Sequence, residues 1–244
     1  LRRLFVNQAG KRKIKNNSNQ QSQKNQMKKL VLSLLTVAAL STAALAQSSK
    51  PVKFGLKAGV AFPNMTFSAG NASFSYGTKT SYYVGGTVEF ELSDLVSIQP
   101  GLTFIDKGTK INSSGFGFDN DDFFADVDAT LNFKYLELPV NALVNFKMAN
   151  AGKLFVGAGP YFAYALSANA KMGSEKEKIE FKDSGLNRSD YGLNFLAGFQ
   201  LNNGLNIHAG YGLGLGNLAN NEEAQDFDPS IRNKVFTVGL GFSF

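Results

Sequence analysis

The stretch Val235-Phe236-Thr237-Val238-Gly239-Leu240-Gly241-Phe242-Ser243-Phe244 places large apolar side chains at 236, 238, 240, 242 and 244, with small or polar ones between. Successive side chains of an extended chain point to opposite faces, so one face of this segment is greasy and the other is Thr237, Gly239, Gly241 and Ser243. The same alternation recurs in seven segments upstream. The first runs from about Lys53 to Asn64 (Phe54, Leu56, Ala58, Val60, Phe62), the second from Thr78 to Leu92 (Tyr82, Val84, Val88, Phe90), and the third from Leu95 to Lys107 (Val96, Ile98, Leu102, Phe104). The fourth covers Leu131 to Lys147 (Leu136, Leu138, Val140, Ala142, Val144, Phe146) and the fifth Lys153 to Ala170 (Leu154, Val156, Ala158, Phe162, Tyr164, Leu166). The sixth is Asp190 to Leu201, the seventh Leu205 to Leu215 and the eighth Asn233 to Phe244.

The connections alternate strictly between short and long. Ser93-Asp94, Met148 to Gly152 and Asn202-Asn203-Gly204 are tight-turn signals. Met65 to Gly77, Gly108 to Thr130, Lys171 to Ser189 and Gly216 to Arg232 are long and polar. In an up-and-down arrangement every short turn then falls at one rim and every long loop at the other. Segments of about a dozen residues, tilted some 40°, span an apolar band of about 25 Å. The expectation is an all-β fold: an eight-stranded antiparallel up-and-down transmembrane β-barrel.

A soluble barrel also alternates, so the chemistry of the second face decides between them. Lys57, Glu89, Glu91, Glu137, Asn141, Asn145, Asn194, Gln200, Asn206 and His208 all lie on it. They make a poor lining for an apolar-ligand cavity and a suitable filling for a narrow lumen screened from lipid. Gly55, Gly59, Gly85, Gly157, Gly159, Gly198, Gly239 and Gly241 share that face, where an eight-stranded barrel leaves room for little more than side chains. Isolated ions there are costly, so Lys57, Glu89, Glu91 and Glu137 are expected to form a paired or hydrated network, with a gated ion path as the alternative.

Upstream, Met27-Lys28-Lys29, an apolar stretch from Leu30 to Leu45 and the small pair Ala44 and Ala46 predict a cleavable signal peptide over 27–46, ahead of a barrel domain over 47–244. Residues 1–26 carry no apolar periodicity. They read as an upstream extension that is disordered or carried in by a misplaced start, with a basic nucleic-acid-binding arm as the alternative. Nine of the 25 Lys and Arg and none of the 19 Asp and Glu precede residue 47, so residues 47–244 carry 16 minus 19, or −3. The basic balance belongs to the leader, and no nucleic-acid partner is expected for the barrel. The chain has no cysteine, which excludes disulfides, thiolate metal sites and thiol nucleophiles.

Several motifs invite chemistry. Asp119-Asn120-Asp121-Asp122 with Asp126 and Asp128 is oxygen-rich, but the glycine and distal glutamate of a calcium loop are missing, so it reads as a solvated loop; Glu222, Glu223, Asp226 and Asp228 read the same way. Gly210-x-Gly212-x-Gly214-x-Gly216 follows strict period two with no helix after it, which argues against a phosphate cradle. His208 is the only histidine; Ser97 and Ser243 near the same rim have no nucleophile motif around them, and a hydrogen-bonded lumen histidine is the simpler reading. No cofactor is expected, and no enzyme activity.

Lys53-Phe54-Gly55-Leu56-Lys57-Ala58-Gly59-Val60, Tyr135-Leu136-Glu137-Leu138-Pro139, Gly157-Ala158-Gly159-Pro160-Tyr161-Phe162, Gly210-Tyr211-Gly212-Leu213-Gly214 and the terminal Phe244 occur in this order along the segments. In these the chain resembles the PorT-like outer-membrane β-barrel family common in Bacteroidota. The resemblance implies the bacterial cell outer membrane, a barrel assembly machine that reads a terminal aromatic strand (here Phe236, Phe242 and Phe244), outer-membrane lipids as surroundings, and envelope or secretion proteins as partners in one branch. It implies no catalytic residues. The expected function is a structural or interaction barrel working through its long outer loops, with a small pore as the alternative.

Overall fold

The computed structural model describes residues 52–69, 72–111, 129–182, 184–219 and 230–244. The signal-peptide segment, residues 1–26, and both acidic loop stretches at 119–128 and 222–228 lie outside them. Among the described residues ten strands form: β1 (Val52–Ala69), β2 (Ala72–Ser75), β3 (Ser81–Glu91), β4 (Val96–Ile111), β5 (Ala129–Met148), β6 (Gly152–Met172), β7 (Glu175–Ile179), β8 (Ser189–Leu201), β9 (Leu205–Gly214) and β10 (Ser230–Ser243). Eight of them close a ring in the order β1-β3-β4-β5-β6-β8-β9-β10, and β10 pairs back onto β1. All of these pairings are antiparallel. Closure leaves the ring without a free edge, which is what lets strands stand in a medium that offers backbone groups no hydrogen bonds.

Each alternating segment of the sequence falls on one ring strand. The differences lie at the long-loop rim, where strands run on into stretches that read as loops. β1 continues to Ala69 and folds back as β2, and β6 continues to Met172 and folds back as β7. Beyond the apolar band a strand no longer separates lipid from lumen, so greasy alternation fades at Thr66 and Ser68 while the hydrogen-bond ladder persists. At the other rim the turns are tight, and Gly204 (φ 92°) takes a backbone conformation that L side chains rarely adopt.

Exposure separates the two faces. On β10, Leu240 is 57 % exposed, whereas Val235 is 3 % exposed; Leu56 of β1 is 60 % exposed, whereas Ala61 is fully buried. Phe54, Val84, Leu102, Val140, Val156, Phe195 and Ile207 continue the exposed apolar belt round the ring. Burying these side chains needs an apolar medium outside, since the barrel's interior is occupied. Towards the long-loop rim the belt ends in aromatic rings, with Phe62 stacked on Phe236 at 6.2 Å and Tyr82 beside Phe104 at 6.2 Å. Such a girdle suits the interface of a bilayer.

Candidate functional site: the filled lumen

The lumen is built in layers. Nearest the short-turn rim, Lys153 of β6 reaches across to Glu89 of β3 at 2.7 Å. Ser97 donates to the same carboxylate at 2.9 Å, and Asn145 donates to Ser97 at 2.9 Å. Beside them Lys53 pairs with Glu91 at 2.6 Å, at the partly exposed edge of the layer.

One layer up, Tyr83 of β3 lies across β1 and β10 and meets His208 of β9, Oη to Nε2, at 2.7 Å. The other ring nitrogen of His208 is 2.9 Å from Asn206 Oδ1. The glycines opposite explain how a tyrosine fits. A Cβ on Gly59 would strike Tyr83 and the backbone of Val238, and one on Gly239 would strike the Tyr83 hydroxyl and the backbone of Ala58. Neither Ser97 nor Ser243 is hydrogen-bonded to His208, whose partners are Tyr83 and Asn206.

Above this sits a buried cluster of ions. Lys107 of β4 lies 2.8 Å from Glu137 of β5 and 3.2 Å from Asp190 of β8. Tyr161 and Asn233 donate to Asp190 at 3.2 and 2.9 Å, and Asn194 donates to Glu137 at 3.1 Å. The ammonium also lies over the rings of Tyr161 and Tyr135, 4.4 and 5.2 Å from their centroids. Five strands, β4, β5, β6, β8 and β10, thus contribute to one knot. Lys57 of β1 faces the space between the layers. Its charge matters to the balance, because Lys53, Lys57, Lys107 and Lys153 then match Glu89, Glu91, Glu137 and Asp190 one for one.

Between the layers lies a cavity of about 100 Å³, lined by Lys57, Tyr83, Glu89, Glu137, Asn141, Gln200 and His208 among others. Its wall mixes polar and apolar groups, and it is roomy enough for a few waters. Towards the long-loop rim the filling turns apolar: Met65, Ile105, Phe133, Tyr135, Ala163, Ala165 and Val235 pack with Phe181 and Leu218, which come from the β7–β8 and β9–β10 connections. Phe133 meets Phe181 at 6.4 Å, and Arg188 lies 4.6 Å over the Phe181 ring.

The structure therefore puts Lys57, Glu89, Glu91, Glu137 and His208 in the lumen but distributes them over separate layers, with pairings set by reach across the barrel. Lys107, Asp190, Tyr83, Tyr161 and Lys153 were not singled out in the sequence. The apolar cap had one signal: Phe133 and Tyr135 alternate out of phase with Leu136 and Leu138, so β5 is greasy on both faces there. Phe236, Phe242 and Phe244 all lie on the outer face, with the rings of Phe242 and Phe244 5.6 Å apart. At the long-loop rim, outside the spanning region, Lys178 bonds Glu180 at 2.7 Å, and that hydrogen bond holds the Glu180 carboxyl below its ordinary range. Among the described residues no group of three His, Cys, Asp or Glu gathers to hold a metal ion.

A closed antiparallel ring with an apolar outer belt and an ion-paired interior defines a transmembrane β-barrel. Residues 21–220 match the family model described as outer membrane protein beta-barrel domain, and the chain belongs to that family and to the outer membrane. Solved structures similar to it include Ail, the attachment invasion locus protein of Yersinia pestis, at 14% identity over 80% of this chain and 100% of that one, with a TM-score of 0.38. Neisserial surface protein A is 13% identical over 80% and 100%, with a TM-score of 0.42, and OprG of Pseudomonas aeruginosa is 12% identical over 81% and 98%, with a TM-score of 0.44. No curated protein matches the chain.

Proposed function

We propose that this barrel is a sealed, non-catalytic membrane anchor that presents its long-loop rim to a partner outside the cell. The observation that carries the reading is that two successive layers of side chains fill the lumen. The Lys107–Glu137–Asp190 knot lies beneath an apolar cap in which Phe181 and Leu218 are folded down from the rim. A conducting path would need continuous water past both, and moving ions through the cap would mean stripping their hydration at a cost that no side chain there offsets. What extends beyond the apolar belt is paired strand: β2 on β1 and β7 on β6. Secretion-associated envelope proteins, which the PorT-like resemblance implies, are one class of partner such a rim would serve.

The test is electrical and then chemical. Purified barrel that shows heat-modifiable gel mobility, reconstituted in planar bilayers, is expected to give no discrete conductance steps. A photo-crosslinker placed at exposed Glu177 of β7 in intact cells should then trap a discrete partner band. Stable ohmic steps from the folded protein would overturn the anchor in favour of a small pore.

Assembly of the barrel is part of the same proposal. Phe236, Phe242 and Phe244 line the outer face of the last strand, where an insertion machine would read them. Removing Phe244 is expected to lower the outer-membrane level of the protein and raise periplasmic degradation; unchanged abundance would remove Phe244 from that role.

A further inference from the structure

Cross-strand partners in a sheet share a face, so the pairing registers show what the outer surface carries just beyond the apolar belt. On β4, β5 and β6 the last wholly apolar row is Phe104, Leu136 and Tyr164. The next row outward is Asp106, Lys134 and Ser167, after a bulge that shifts the β5–β6 register between Lys134 and Tyr135. Two rows further on, Lys110 pairs with Thr130, Thr130 with Lys171, and Lys171 with Lys176 of β7. The same sheet face that meets lipid below thus turns basic immediately above it. The single acid registered in these rows, Asp106, is held by Lys79 at 2.9 Å.

Lysines on strands often serve only to blunt a free edge. That account suits Lys176 on β7, which pairs with β6 alone, but not the others. Lys134 and Lys171 sit on strands bonded on both sides at those positions, and Lys110 is bridged to Gly77 on its second side. Among the described residues none of the four is ion-paired. Height gives the occupant. Two residues along a strand is roughly 7 Å, or roughly 5 Å along the membrane normal at a tilt near 40°, so Lys134 stands at the level where headgroups begin and Lys110, Lys171 and Lys176 stand roughly 10 Å above it.

We propose that Lys110, Lys134, Lys171 and Lys176 form a docking face for the phosphate groups of outer-leaflet lipid, a site that adjoins the lipid-facing belt and is independent of whether the lumen conducts. A lipid whose chains lie against Phe104, Leu136 and Tyr164 would bring its headgroup phosphates up to these ammonium groups, and the attached lipid holds them there.

The probe is lipid A, with two phosphates, against its fully dephosphorylated form, titrated onto the folded barrel in neutral detergent and read by native mass spectrometry. The bisphosphorylated lipid should bind at least about tenfold more tightly. The variant carrying K110Q, K134Q, K171Q and K176Q should lose most of that difference while keeping heat-modifiable mobility, whereas K147Q at the opposite rim should keep it. Equal binding of the two lipids, or an unchanged preference in the fourfold variant, would overturn the proposal. So would inorganic pyrophosphate displacing lipid A at low micromolar concentration, since a free anion would then be enough. Should the fourfold variant not fold, the single variants K110Q and K171Q, on exposed side chains, carry the test with each expected to weaken the preference severalfold.

Discussion

Val140 and Asn141 are neighbours on β5 and live in different solvents. Val140 is 46 % exposed on the outer face with nothing of the protein to fit, while Asn141 is 4 % exposed and lines the lumen cavity. The outer face is defined by a medium: any apolar residue of suitable size satisfies lipid, and belt positions exchange Phe, Leu, Val and Ile freely from strand to strand. The inner face is defined by named partners, most of them on strands across the barrel. A substitution outside should therefore be scored by its depth in the bilayer, and one inside by what it leaves unpaired.

The sharpest break in that contrast is at Lys107. K107M leaves Glu137 and Asp190 facing each other without a cation, and losing one member of a buried ion cluster costs about 3–5 kcal/mol. Urea titrations of folding into detergent micelles should show that loss. Adding E137Q and D190N should restore most of it, because the inner face requires matched partners rather than charge as such. If K107M alone is neutral, the knot is not what fills the lumen.

A mid-bilayer Arg on the outer face is next. V140R should cost about 2–4 kcal/mol in the same titration. N141R should cost clearly less, since the cavity beside it holds Glu137 and about 100 Å³ of space. Equal effects, or N141R as the worse variant, would reverse the assignment of the two faces.

Size rather than charge is probed at Gly59. G59V drives a side chain into Tyr83 and the β10 backbone, an overpacking expected to cost about 1–3 kcal/mol and to disturb the Tyr83–His208 bond. The His208 ring resonances in an NMR spectrum would report that disturbance. Smallest is K53A, which removes a partly exposed pair with Glu91 worth about 0–1 kcal/mol. A large effect there would mean that the rim belongs to the lumen network after all.

The same contrast explains what the sequence discloses. The belt is legible because lipid demands one thing of every outward position, and strict alternation follows. Lys57, Glu137 and His208 stand out because a charge or a histidine interrupts a greasy run, and Glu89 and Glu91 because two acids alternate with Phe90 in a strand pattern. Lys107 and Asp190 sit at the ends of their segments, where a charge reads as the solvated end of a strand. Tyr83 and Tyr161 hide beside the outward-facing Tyr82 and Phe162. The partners themselves were beyond reach: nothing local to Glu89 says that Lys153, three strands round the ring, will meet it. Phe181 and Leu218 are harder still, because their place in the cap depends on how two connections fold over the mouth.

The seam deserves a kinetic reading. β1 and β10 are joined over fourteen registered pairs, from Gly55 with Ser243 to Ser68 with Ser230, the longest sequence separations in the molecule. Contacts of such high order form late. Until they do, a nearly finished sheet carries two complementary open edges, and a second chain at the same stage offers the same two. Concentrated refolding should therefore divert the last strand of one molecule onto the first strand of another, giving strand-exchanged dimers, and the yield of monomer should fall as concentration rises. Closing the ring in the cell is then a race between self-recognition and encounter with a copy.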